Sequence, residues 1–238
     1  MGSTNAKLTL YTNHRCPWAH RAHIILEELK VPFEEVIIDL DTPRTPEYLK
    51  INPRGLVPAL SYNGEIIIES AIVANFLADA YPSHLLPPSN TSEGALRRAR
   101  VALFVDAFIS KFNGQLFALY TTEGEAARAE IADKAVAALV KEVEPLLADA
   151  SPYFGGSDKL TQAEVLTGSF VIRIKSLSQT DLYPSNLWPL IVEKAPNFKK
   201  WAEVVSVHPS VTSIFNEQEI IEGTRARIAK LKAQKAQQ

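Results

Sequence analysis

The chain of 238 residues has one cysteine, Cys16, in the run Cys16-Pro17-Trp18-Ala19-His20-Arg21, where a strand pattern gives way to a helix pattern. A lone thiol at such a junction reads as a reagent rather than a brace. Lys7 to Tyr11 places Leu8 and Leu10 on one face of a strand, and Trp18, Ala22, Ile25, Leu26 and Leu29 recur at helical spacing. Cys16 is therefore expected at the helix N-cap. Pro17 suits the first helical position, so the sulfur should face unpaired amides and the positive end of the helix dipole. With His14, Arg15, His20 and Arg21 nearby, such surroundings favour thiolate and bring cysteines from about 8.5 to roughly 3.5–7.5.

The elements that must position this thiol alternate in type. A strand at 7–11, a helix at 17–30, a strand at 33–38, a helical turn at 46–51, strands at 57–61 and 65–68 and a helix at 70–80 give a mixed four-stranded sheet with helices on its faces. Asn63-Gly64 marks a tight hairpin between the last two strands. Residues 1–81 form the first domain in this reading. The stretch 82–93, rich in proline and serine, reads as a linker. Residues 94–238 then carry only helical periodicity, with long amphipathic helices at 94–120 and 125–149 and an expected kink at Pro145. Thr161-Gln-Ala-Glu164 is a capping box, flanked by Leu160 and Val165 as a hydrophobic staple. Shorter helices are expected at 186–194 and 197–207, the second holding Trp201 as core. The basic last fifteen residues read as a solvated, partly frayed helix.

Composition bounds the function classes. A hydrophobic content of 46% supports a packed core, and a formal charge of -2 gives no electrostatic case for nucleic acid. No long apolar run suggests a membrane span or a signal peptide, and one cysteine excludes an intrachain disulfide, so a reducing, cytoplasmic setting is the expectation.

The order of a strand-Cys-Pro-helix junction, INPRGLVPAL with its Val-Pro before a hairpin, EIIIESAIVANFL with its Glu-Ser at a helix start, and LTQAEV and PSV in the helical part resembles the glutathione transferases over nearly the whole chain. The CPWA motif is similar to the omega class. The resemblance implies an α/β plus all-α fold: a thioredoxin-like N-terminal domain that binds glutathione, an all-helical C-terminal domain that walls the electrophile pocket, and a homodimer. It also implies a catalytic Cys16 and a glutathione site at Trp18, Arg44, Val57, Pro58, Glu69 and Ser70. Val57, before a cis proline at Pro58, would offer its N–H and C=O to the cysteinyl part of glutathione as an added strand. Ser70 would receive the γ-glutamyl carboxylate at a helix N-terminus, and Glu69 the α-ammonium. Arg44, with Lys50 as the alternative, matches the place of a cation near the glycyl end. Trp18 would pack beside the sulfur.

Ala19 stands where a dithiol motif has its second cysteine, so Cys16 would need a second glutathione to resolve a mixed disulfide. Tyr11 reads as a packing residue. The implied chemistry is thiol-disulfide exchange, with thiol transfer, dehydroascorbate reduction and removal of glutathione from aromatic conjugates as candidate reactions. Glutathione is then a co-substrate, the second substrate is small and aromatic or a disulfide, and no metal is called for. The rival readings are a non-catalytic binding or regulatory protein on the same fold and an intracellular chloride-channel-like protein. Phe104, Phe108, Phe112, Phe117 and Tyr120 recur after the linker, at a spacing that suits core more than pocket.

Overall fold

A computed structural model describes residues 6–236. The first domain runs β1 (Leu8–Thr12), α1 (Pro17–Leu29), β2 (Glu34–Ile37), α2 (Pro46–Ile51), β3 (Ala59–Tyr62), β4 (Glu65–Ile68) and α3 (Ser70–Ala80). Its sheet has the order β2-β1-β3-β4. β1 is central because Leu8, Leu10 and Thr12 are buried at alternate positions, and it pairs in parallel with β2 and antiparallel with β3. Asn63 and Gly64 both adopt positive φ, as the hairpin requires. The side-chain oxygen of Asn63 also accepts from the Lys7 amide, tying the turn to the start of β1.

The segment between α3 and the next helix, shorter than the expected linker because that helix begins at Ser92, is held rather than slack. Leu85 and Leu86 are buried, and the Leu85 carbonyl accepts from the Gln162 amide at 2.9 Å. α4 (Ser92–Asp106) then continues unbroken through a π-helical stretch at Ala107–Asn113, a single turn α5 (Gly114–Leu116) and a 3-10 turn at Phe117–Tyr120. α6 (Glu125–Ala138) likewise passes into a π stretch at Leu139–Val143 and a 3-10 turn at Glu144–Leu147. Pro145 lies in the first turn of that last segment, where its missing N–H is tolerated and its ring keeps the chain from resuming the α ladder.

α7 (Gln162–Leu177) is the axis of the helical domain, buried all round except at Lys175. α8 (Leu187–Lys194), α9 (Pro196–Val205), α10 (Pro209–Thr212) and α11 (Glu217–Ala236) complete it. The capping box forms as the sequence predicts, and Glu164 does more than cap. Its Oε2 accepts from the Thr161 amide and hydroxyl at 2.8 and 2.6 Å, while Oε1 accepts from the Phe154 amide and Trp201 Nε1 at 2.8 and 2.7 Å. Phe104, Phe108 and Phe112 are fully buried and meet Phe198 and Trp201 in one aromatic cluster. Those three are core, whereas Phe117 is exposed and Tyr120 half-buried.

Candidate functional site

Cys16 caps α1 in extended backbone conformation with Pro17 behind it, as the junction sequence dictates. Its amide donates to the Asn13 carbonyl and its carbonyl accepts from the His20 amide, both at 3.0 Å. Asn13 makes the approach rigid. Its Nδ2 donates to the Ile38 carbonyl and its Oδ1 accepts from the Arg15 amide, each at 3.0 Å. The thiol projects free of any helix-capping bond and lies 3.8 Å from the Val57 carbonyl oxygen.

Val57 is presented by a braced turn. Tyr48 Oη and Asn52 Nδ2 both donate to the neighbouring Leu56 carbonyl, at 2.5 and 2.7 Å, and the Val57-Pro58 peptide is cis. Among the described residues the Val57 N–H has no acceptor and its carbonyl accepts only from the Cys16 thiol, which leaves a main-chain edge open beside the sulfur. Such an edge is a ready partner for an extended peptide. Tyr11 packs on the Tyr48 ring at 5.9 Å, within the same small cluster as Cys16 and Val57.

Glu69 and Ser70 form the second half of the cluster. Glu69 holds φ at +70° as the N-cap of α3, a conformation that costs a non-glycine residue on the order of 1–3 kcal/mol and marks functional sites. Its carboxylate is exposed and pairs with Arg54. Ser70 is buried at the first turn of α3, and its hydroxyl accepts from Arg21 Nη1 at 3.2 Å. Arg21 is 3% exposed, with its guanidinium 4.6 Å from the Trp18 ring and 5.0 Å from that of Phe170. Burial pushes Arg21 down to about 9, and the charge of Cys16 acts in the opposite sense.

A second buried cation comes from the other domain. Arg173, on α7, donates from Nη1 to His20 Nδ1 at 2.9 Å and from Nη2 to the His14 carbonyl at 3.1 Å. Burial brings it down to about 10, again opposed by Cys16. From the sequence alone Arg21 stands out only as background charge, and no local signal picks out Arg173 or Arg54. Trp18 packs edge-on to Phe170 at 4.7 Å, across the junction of the two domains. Arg44 is turned onto its own loop, with Nε donating to the Gly55 carbonyl and Nη1 to those of Asp39 and Thr42. Lys50 is exposed. A cavity of about 230 Å³ between the linker and α4, with His84, Arg97 and Phe154 in its wall, shares no residue with this cluster.

The site thus offers a thiol at a helix N-terminus, a backbone edge with a free N–H beside it, and a helix start whose first residue, Ser70, has a buried guanidinium beneath it. Residues 15–80 match the family model described as Glutathione S-transferase, N-terminal domain. Over 212 residues the chain is 26% identical to glutathione S-transferase omega-1 of Sus scrofa, spanning 88% of this chain and 81% of that one. It is 32% identical over 165 residues to a probable glutathione transferase omega-2 of Caenorhabditis elegans, covering 68% and 56%. The crystal structure of glutathione transferase Omega 2C from Trametes versicolor superposes with a TM-score of 0.77 at 27% identity, covering 93% and 99%. The resemblance to omega-class proteins read from the sequence holds, and a four-stranded domain followed by a helical one is the architecture they share.

Proposed function

We propose that this chain, which has the glutathione transferase fold, is an omega-type enzyme that works by thiol-disulfide exchange through Cys16. The observation that carries the reading is the placement of the chain's one thiol 3.8 Å from the Val57 carbonyl, at an edge suited to the cysteinyl backbone of glutathione. Ser70 and the first amides of α3 suit the γ-glutamyl carboxylate, with Arg21 adding positive charge from below. Glu69 suits the α-ammonium. Arg54, already paired with Glu69, stands at the same rim. Arg44 shapes the Gly55 loop, so in this proposal it serves the glycyl end by holding that loop in place. Ala19, Tyr48 and Val57 give the thiol apolar neighbours, and the proposal adds Trp18 and Pro58 to the rim of the site.

In the first step the Cys16 thiolate attacks the glutathione sulfur of a mixed disulfide R–S–S–G. A Cys16–glutathione disulfide forms and RS⁻ leaves, taking a proton from solvent. Free glutathione then loses its thiol proton and attacks that disulfide, giving oxidised glutathione and the Cys16 thiolate. The sum is RSSG plus GSH going to RSH plus GSSG, so glutathione supplies the reducing electrons. With Ala19 in place of a resolving cysteine, no second thiol of the chain competes. Substrates are expected to be small disulfides, dehydroascorbate or aromatic glutathione conjugates.

Wild-type protein and Cys16→Ser are to be compared with a mixed disulfide, dehydroascorbate, an aromatic glutathione conjugate and a chlorinated nitroaromatic. Loss of the first three activities in the variant supports the proposal, and undiminished thiol transfer would sink it. A homodimer is expected in solution. Ile66, Ile72, Leu96 and Leu103 leave apolar surface on β4, α3 and α4, and light scattering of the purified chain tests the assembly. None of the described helices is long and apolar enough to cross a membrane.

A further inference from the structure

Three side chains with no part in the thiol chemistry meet beside the segment that presents Cys16. His14 comes from the loop after β1, His23 from α1 and Glu35 from β2. Glu35 Oε1 lies 2.7 Å from His14 Nε2 and 3.4 Å from His23 Nε2, and one ligand atom from each residue falls within 4.8 Å of the other two. Ligands 2.0–2.1 Å from a tetrahedral ion are about 3.3 Å apart, so small ring rotations would bring all three into range.

The placement is directed. His23 is buried against the Phe33 ring, and its Nε2 is shared between Thr12 Oγ1 at 2.9 Å and Glu35 Oε1 at 3.4 Å, so a bound ion would take the place of the Thr12 contact. The His14 ring meets it edge to face at 5.2 Å. The side chains of His14 and Glu35 are 38% and 33% exposed, which gives an ion an entry path and room for water in a fourth position. Two imidazoles with one carboxylate suit zinc and its neighbours in the transition series, whereas calcium and magnesium favour all-oxygen shells.

We propose that His14, His23 and Glu35 bind one zinc-type divalent cation and that the bound ion restrains the loop leading into Cys16. The coupling is short in sequence and in space. Only Arg15 separates His14 from Cys16, the Cys16 amide is held by the Asn13 carbonyl, and the His14 carbonyl accepts from Arg173. The ion takes no step in the sulfur chemistry. It fixes where the sulfur is held.

The test uses untagged full-length protein carrying Cys16→Ser, so that a thiolate cannot be the ligand. Titration with cobalt(II), read by its visible d–d absorption, and with zinc(II), read by calorimetry, is expected to give one site per chain. That site should be lost in His14→Ala and weakened about tenfold or more in Glu35→Gln, both at exposed positions that spare the core. Zinc should also slow amide exchange across residues 13–16, and not in His14→Ala. Absence of saturable binding overturns the proposal. So does binding unchanged in both variants, which would place the ion elsewhere, for instance at Glu28 between His84 and His208. Unaltered exchange at saturating zinc overturns the restraint.

Discussion

Arg21 links the two halves of the proposed glutathione cradle. It bonds Ser70 through Nη1, yet its Nε and Nη2 are buried without a partner among the described residues. A buried cation so poorly paired stabilises the fold little, and replacing it with an apolar residue of similar size is often neutral or stabilising. An anion bound at Ser70 would supply the missing countercharge. Arg21→Met is therefore expected to raise the KM for glutathione about 10- to 100-fold, the equivalent of a charged hydrogen bond of roughly 1.5–3 kcal/mol, with an unchanged or higher urea midpoint. A lower midpoint with unchanged KM would make Arg21 a structural brace. Glu69 allows the complementary separation. Glycine at this position relieves strain of about 1–3 kcal/mol and costs roughly 0.5–1 kcal/mol in unfolded-chain entropy. Glu69→Gly should thus raise the thermal midpoint slightly while weakening glutathione binding through loss of the carboxylate. Equal affinity in the variant, measured by calorimetry, would remove Glu69 from the site.

At the scale of elements, much was legible because local signals agreed. Alternation gave β1, Asn63-Gly64 gave the antiparallel hairpin, and Thr161 with Glu164 gave the start of α7. What stayed hidden depended on partners far along the chain. Glu164 also receives Phe154 and Trp201, 10 and 37 residues away, and no local pattern announces that. The π-helical stretches after α4 and α6 were hidden for another reason: Phe104, Phe108 and Phe112, four apart, suit an α or a π register equally. No local pattern in the sequence singles out Arg173, because its partners His20 and His14 lie in the other domain. Cys16, Val57, Glu69 and Ser70 were legible as a group only through the resemblance, since each alone is commonplace. Glu164→Ala leaves four donors buried without an acceptor, each costing about 1–3 kcal/mol, so a loss of about 4 kcal/mol or more is expected in urea unfolding. Glu164→Gln, which keeps one acceptor oxygen, should lose less. Gly94 makes a parallel point, because a Cβ there would sit 2.0 Å from the Pro88 carbonyl oxygen. Gly94→Ala must push the linker off α4, and a drop in thermal midpoint reports it.

The two domains of the whole molecule meet through α1 and α7, and the polar contact between those helices works in only one protonation state. His20 is completely buried and its Nδ1 accepts from Arg173. A protonated ring would turn that acceptor into a donor facing a guanidinium. Burial first, then Arg173, His23 and His14, hold His20 well below its ordinary value, against a smaller opposing pull from the Val211 backbone. In the unfolded chain His20 gains its proton near pH 6.5, whereas in the folded chain it does not. The unfolded state therefore binds one more proton below that pH, and stability falls as the pH falls, by about 1.4 kcal/mol per pH unit for each proton withheld. His20→Asn keeps a neutral acceptor for Arg173 and has nothing to titrate. Its urea midpoint should decline less steeply than the wild type between pH 6.5 and 4.5, and parallel declines would assign the acid sensitivity to other groups. Because Arg173 also holds the His14 and Arg15 carbonyls, the proton that His20 takes up only on opening favours release of the segment that carries Cys16 as well. Faster amide exchange at residues 14–16 should accompany the loss of stability on acidification, and His20→Asn should suppress both together.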